Sequence, residues 1–137
     1  MPAPPAGFVP YRRTSPYLDL VGPIYESAGD PLRVGLWLRE EHANSRGFVH
    51  AGLLVALADT VLGHTILRRF PDTPPIVTVS LNTDFTGSAR PGTWLHGQAE
   101  VKRHGTRVSF ANAVFHVADR LVLTASGVFV SQTAERN

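Results

Sequence analysis

From position 51 to 67 apolar residues fill almost every place, and a single carboxylate, Asp59, interrupts them. The stretch reads His50-Ala51-Gly52-Leu53-Leu54-Val55-Ala56-Leu57-Ala58-Asp59-Thr60-Val61-Leu62-Gly63. Its apolar side chains lie nearly all round, the pattern of a helix buried on every side. Asp59 then stands inside a core element, where an unpaired carboxylate costs on the order of several kcal/mol or takes up a proton. Such a group needs a partner or a task. Ahead of it, Asn44-Ser45-Arg46-Gly47-Phe48-Val49 reads as a loop that delivers Asn44 and His50 to the same end of the helix. Arg68 and Arg69 put cations at the other end, and Pro71, Pro74 and Pro75 stop it.

The remaining segments are short or strand-like. Residues 16–20 suit a helical turn capped by Ser15 with Pro16 at its first position. Residues 22–26 and 33–40 flank a turn-rich link and read as a hairpin. After the long helix come four strand patterns without another helix: Ile76–Phe85, 92–103, 107–117 and 121–131. Alternation puts Val77, Val79 and Leu81 on one face of the first, and Thr78, Ser80 and Asn82 on the other. Thr78 is thereby expected to point away from the chain's own core. One long helix can bury itself against sequential strands only if the sheet curls around it. The expected fold is therefore α+β, the hotdog arrangement of a curved antiparallel sheet around one central helix. Residues 16–131 are expected to form the domain, with a flexible tail at 1–15, resembling polyproline, and another at 132–137.

The 137 residues suffice for one domain with a real core. With 43% hydrophobic and 18% charged residues, the chain is an ordinary globular one. No cysteine is present, which excludes disulfides, thiol catalysis and cysteine-ligated zinc. No apolar run approaches the roughly 20 residues of a membrane span, and no signal peptide is visible at Met1-Pro2-Ala3-Pro4-Pro5. A cytoplasmic location is expected. The net charge of +2 comes from scattered arginines, without the continuous basic stripe that nucleic acid would require. The six histidines fall at no metal-ligand spacing. No nucleophile elbow, Walker loop or dinucleotide fingerprint occurs.

The segment Asn44…His50-Ala51-Gly52…Asp59, followed by Val77-Thr78-Val79-Ser80-Leu81-Asn82, resembles the hotdog acyl-CoA thioesterases of the phenylacetic-acid-degradation type. Their signature is a histidine and two glycines opening the central helix, with an acid nine residues after the histidine. His50 and Asp59 keep that spacing, and Asn44 precedes His50 by six. The resemblance covers roughly residues 20–131. Ala51 replaces the first glycine. Its backbone N–H is retained, while its methyl group narrows the approach of a thioester.

The resemblance implies hydrolysis of an acyl- or aryl-CoA thioester to the free acid and CoA. Asp59 would be general base or nucleophile. Backbone N–H groups of Ala51, and of Gly52, would hold the oxyanion at the helix start. Asn44 would hold the thioester oxygen or the water, Thr78 would position water beside Asp59, and His50 would support the helix start. Each has a plainer reading: Asn44 as an Asx turn, Thr78 as a β-favouring residue, and Asp59 bonded to a backbone group or to Thr60. Arg90, Lys102, Arg103 and Arg107 are candidates for the CoA phosphates, and Trp94 and Phe85 for the pocket wall. CoA would enter as part of the substrate, with no resident cofactor or metal. Nine steps of about 100° put His50 and Asp59 on opposite helix faces, which with the resemblance implies a site shared in a homodimer or a dimer of dimers, a homotetramer. The same residues leave open a hotdog acyl-thioester dehydratase or hydratase, and a non-catalytic protein that binds CoA thioesters.

Overall fold

The computed structural model describes residues 2–27, 29 and 31–132. The elements in chain order are β1 (Phe8–Pro10), α1 (Pro16–Val21), β2 (Tyr25–Ser27), β3 (Arg33–Trp37), α2 (Ala51–Arg69), β4 (Ile76–Phe85), β5 (Trp94–His104), β6 (Val108–Val117) and β7 (Arg120–Ser131). A single 3-10 turn, Glu40–His42, precedes the loop into α2. The seven strands form one sheet in the order β1-β2-β3-β5-β6-β7-β4, and each neighbouring pair is antiparallel. This sheet wraps the long helix α2, so the fold is the hotdog arrangement.

Local sequence explains most boundaries. The Ser15 hydroxyl accepts the Leu18 N–H at 3.2 Å and starts α1 at Pro16. In β6, Ser109, Ala111, Ala113 and Phe115 are buried while Val108, Phe110 and Asn112 are exposed, the period of two of a half-covered strand. The inner face of the sheet carries small residues where α2 crosses it. A Cβ at Gly127 would stand 2.8 Å from the Phe129 ring and 3.1 Å from Leu62, so the absent side chain lets helix and sheet approach closely.

α2 corrects the expectation of burial on every side. Leu53, Leu54, Leu57, Ala58, Val61, Leu62 and Ile66 face the sheet and are buried. Gly52, Val55, Ala56, Asp59 and Gly63 form a second stripe that the chain's own sheet leaves partly uncovered. Composition misled because this open stripe is also apolar. By length and hydropathy alone, the 19 residues of α2 meet the measure of a membrane-crossing helix, against the expectation that no run comes close. In the fold, its apolar face packs on the sheet.

The segment expected as an N-terminal tail joins the domain instead. Its residues Phe8–Pro10 pair with β2, and Tyr11 is buried with 8% exposure. Phe8 meets Trp94 edge-on at 5.1 Å, and the Trp37 Nε1–H donates to the Ala3 carbonyl at 3.1 Å. A proline-rich sequence says little about such docking, because the contacts are with residues far along the chain. Of the expected C-terminal tail, positions 133–137 lie outside the described residues.

β4 is the other sheet edge, bonded to β7 alone. A bulge between Thr78 and Ser80 breaks its alternation. Thr78 lies opposite the buried Phe129 and so faces α2, which overturns the expectation that it points away from its own core.

Candidate active site

The site is built on the start and open stripe of α2, the loop before it, and the inner face of β4. The loop is a small hairpin. His50 N–H donates to the His42 carbonyl at 2.8 Å, Asn44 N–H to the Phe48 carbonyl at 2.6 Å, and Ala43 bridges Val49. His42 anchors its base. Its Nδ1 accepts the Arg39 N–H at 2.9 Å and its Nε2 donates to the Val21 carbonyl at 2.8 Å. Burial pushes the pKa of this imidazole down and keeps it neutral, as that donor–acceptor arrangement requires.

Asn44 forms the Asx turn. Its Oδ1 accepts the N–H groups of Arg46 at 2.8 Å and Phe48 at 3.2 Å. Because the oxygen is committed to the backbone, the Nδ2 donors are what this exposed amide can offer a ligand. The turn and a binding role therefore coexist in one side chain.

His50 is the N-cap of α2, and its Nδ1 accepts the Gly52 N–H at 2.9 Å. A Cβ at Gly52 would lie 3.0 Å from that nitrogen, so glycine makes room for the cap. This corrects the assignment of Gly52 as an oxyanion donor: its N–H is taken. Leu53 N–H is also taken, by the His50 carbonyl at 3.1 Å. Among the described residues the Ala51 N–H has no acceptor, and Ala51 is exposed. One donor, with the positive end of the helix behind it, is left open at this end of α2.

Asp59 is half-buried on the open stripe, and its Oδ1 accepts the Thr78 hydroxyl at 2.6 Å. Thr60 is not its partner, since the Thr60 hydroxyl donates to the Ala56 carbonyl at 2.8 Å. Eight residues of about 100° each put Ala51 and Asp59 about 80° apart around the helix, so the opposite-face expectation, measured from the cap His50, shrinks to about a quarter turn for the residue whose N–H is open. Axial distance separates the groups instead: eight residues from Ala51 to Asp59 span about 12 Å. One carbonyl cannot reach both.

The candidate cations divide between the two ends of the molecule. Arg90 lies by the helix start, where its guanidinium sits 4.3 Å from the centroid of the Phe48 ring. Arg46, which the sequence reading passed over, is 5.8 Å from the same ring. An aromatic residue two places after an arginine was the only signal for it. Lys102, Arg103 and Arg107 belong to the β5–β6 hairpin, next to the end of α2, where His104 stacks on Phe70. Lys102 there is paired with Glu100 at 3.1 Å. The structure thus brings Arg90, but not these three, to the chain's own helix start. Trp94 packs among Phe8, Tyr25 and Trp37, whereas Phe85 is exposed on β4. Clefts of about 750 and 480 Å³ lie near the C-terminal end of α2, lined by Arg69 among others, away from Ala51.

Residues 46–124 match the family model described as Thioesterase superfamily. The chain is 45% identical over 127 residues to the Pseudomonas aeruginosa protein PA0474, named an esterase, covering 91% of this chain and 95% of that one. Among solved structures it is similar to a phenylacetic acid degradation-related protein of Ralstonia eutropha (26% identity, 77% and 82% of the two chains, TM-score 0.70). It also resembles PA5202 of Pseudomonas aeruginosa (25%, 87% and 95%, TM-score 0.79). BH2602 of Bacillus halodurans, solved with CoA, shares the fold (22%, 90% and 83%, TM-score 0.78). With its motif, its fold and these matches in agreement, the chain belongs to the thioesterase superfamily and is a hotdog-fold member of the phenylacetic-acid-degradation type.

Proposed function

We propose that this protein hydrolyses acyl- or aryl-CoA thioesters at two equivalent sites, each shared by two copies of the chain. The observation that carries the reading is the separation on one helix of a free N–H and a held carboxylate. Ala51 N–H and Asp59 share the open side of α2 but stand about 12 Å apart. Two such helices running antiparallel about a two-fold axis near Val55, midway between them, would bring each Ala51 beside the partner's Asp59. The open stripe is apolar and small at Gly52, Val55, Ala56 and Gly63, which suits close helix approach. β4 offers a bare ten-residue edge on the same side, with Val79 56% exposed, and unpaired edges of that length are normally covered. The CoA-bound fold neighbour supports CoA as the carrier.

In this arrangement the thioester oxygen lies against the Ala51 N–H, and Asn44 Nδ2 stands at the same end. Water adds to the carbonyl carbon while the partner's Asp59 takes its proton, and negative charge collects on the oxygen facing the helix end. The carbon–sulfur bond then breaks, the proton passes to the departing CoA sulfur, and the free acid leaves. Direct attack by the carboxylate gives the same products after hydrolysis of the anhydride.

Two disabled chains test both parts at once. Asp59→Asn removes the base, and Asn44→Asp keeps the Asx acceptor but removes the Nδ2 donors. Each alone should lose at least about 100-fold in kcat with a cooperative melt retained. Mixed, unfolded and refolded together, they should regain about a quarter of parental activity, because half the dimers hold one intact site. Recovery no greater than that of the separate variants refutes a shared site, and an active Asp59→Asn enzyme refutes the base.

A further inference from the structure

Two arginines converge on one ring at the mouth of the site. The Arg90 and Arg46 guanidinium carbons lie 4.3 and 5.8 Å from the Phe48 centroid, so they are no farther from each other than the sum of those distances. Both side chains are exposed, and no carboxylate pairs with either among the described residues. The ring offers each cation about 0.5–1 kcal/mol at such a site, but the cations repel one another. The positive end of α2 begins three residues after Phe48, with no acidic residue in its first turn. Three positive features without an anion leave this corner electrostatically unsatisfied.

The scaffold holds both arms in place. Phe48 is bonded through both its N–H and its carbonyl to Asn44. Arg90 follows the buried Ala89, whose carbonyl accepts the Val49 N–H at 2.8 Å. The Arg90 carbonyl in turn accepts the Thr93 hydroxyl at 2.8 Å. Two loops, the one before α2 and the one between β4 and β5, are thus tied together at the ring.

We infer that Arg46 and Arg90, aligned by Phe48, bind the phosphates of the substrate's CoA, so that the site selects thioesters by the charge of their carrier as well as by the acyl group. The inference rests on the proposed thioester hydrolysis and adds the residues that read the carrier. Guanidinium groups suit phosphate through paired N–H donors. Phe48 is a positioning residue, because both guanidinium groups rest against its ring.

The test compares benzoyl-CoA with benzoyl-pantetheine, which carries the same reacting bond and no phosphate. For Arg46→Gln and Arg90→Gln the ratio of kcat/KM for benzoyl-CoA to that for benzoyl-pantetheine should fall about tenfold each, the order of one hydrogen bond to a charged group. The loss should sit in KM and shrink at high salt. Phe48→Leu, which keeps an apolar side chain but no ring face, should lower the ratio in the same direction. An unchanged ratio in both arginine variants overturns the inference. If the parent protein hydrolyses neither thioester, the hydrolase reading fails, and calorimetric titration with adenosine 3′,5′-bisphosphate still decides the phosphate site. Binding that weakens about tenfold in the arginine variants upholds it, and no binding by the parent, or equal binding by all, rejects it.

Discussion

Thr78 donates its single hydroxyl hydrogen to one oxygen of Asp59, and the other accepts no hydrogen bond among the described residues. A carboxylate held that way keeps one orientation, which proton abstraction from a positioned water needs. Removing the donor should cost rate rather than affinity. Thr78→Val keeps the branched shape and should lower kcat about tenfold, the order of one hydrogen bond to a charged group, with KM little changed. Thr78→Ser restores the hydroxyl and should recover most of the loss. Steady-state kinetics of the pair decide it, and a valine variant with parental kcat means that Thr78 only fills space. The residue types at this site were legible in the chain, because an isolated acid in an apolar helix and a histidine nine residues earlier are features of spacing. Their partners were not. Asp59 bonds the Thr78 hydroxyl directly, where the resemblance implied a water positioned beside it, and His50 takes the very N–H that Gly52 was expected to offer.

At the scale of elements, α2 carries two apolar faces, and its own sheet covers one. Hydropathy could not divide them, since the open stripe and the face packed on the sheet carry the same residue types. The β4 register was likewise hidden. One extra residue in a bulge moves every later side chain to the other face, and nothing in Val77-Thr78-Val79-Ser80 marks it. The proposed two-fold near Val55 makes a specific demand on the open stripe. Val55→Glu should leave the single-chain fold intact, because Val55 is only partly buried, while setting two carboxylates against each other across the axis. Light scattering should show monomers at concentrations where the parent is a dimer, with activity falling at least about 100-fold as the shared site comes apart. A Val55→Glu protein that remains dimeric and active places the two-fold elsewhere.

Across the whole molecule, the N-terminal segment and α2 close on a buried polar corner. The His64 ring meets Tyr11 edge-on at 5.2 Å, its buried Nδ1 has no hydrogen-bond partner among the described residues, and Arg12, Arg13, Arg68 and Glu26 surround it. Burial, with the nearby Arg13, pushes its pKa from 6.5 down to about 4. The sign follows from linkage. The unfolded chain binds the proton first as pH falls, so this contribution to stability is complete above about pH 6.5 and is lost progressively towards about pH 4. His42 shifts in the same direction and adds to the slope. His64→Leu should therefore narrow the drop in Tm between pH 7 and pH 4.5, leaving the part due to His42 and to His96, whose pKa burial also pushes down. Thermal melts across that range check it, and a drop equal to that of the parent rules His64 out. Alternation, capping residues and proline stops depend on neighbours within a few positions, and they were enough for the central helix, the meander of strands and hence the fold. The docking of Phe8 and Tyr11, the turn of Thr78 towards Asp59 and the meeting of Arg46 with Arg90 on Phe48 join residues from separate strands and loops. Those pairings depend on sheet order, bulges and curvature, which fix distances between segments that no local pattern encodes. Only the tertiary structure decided them.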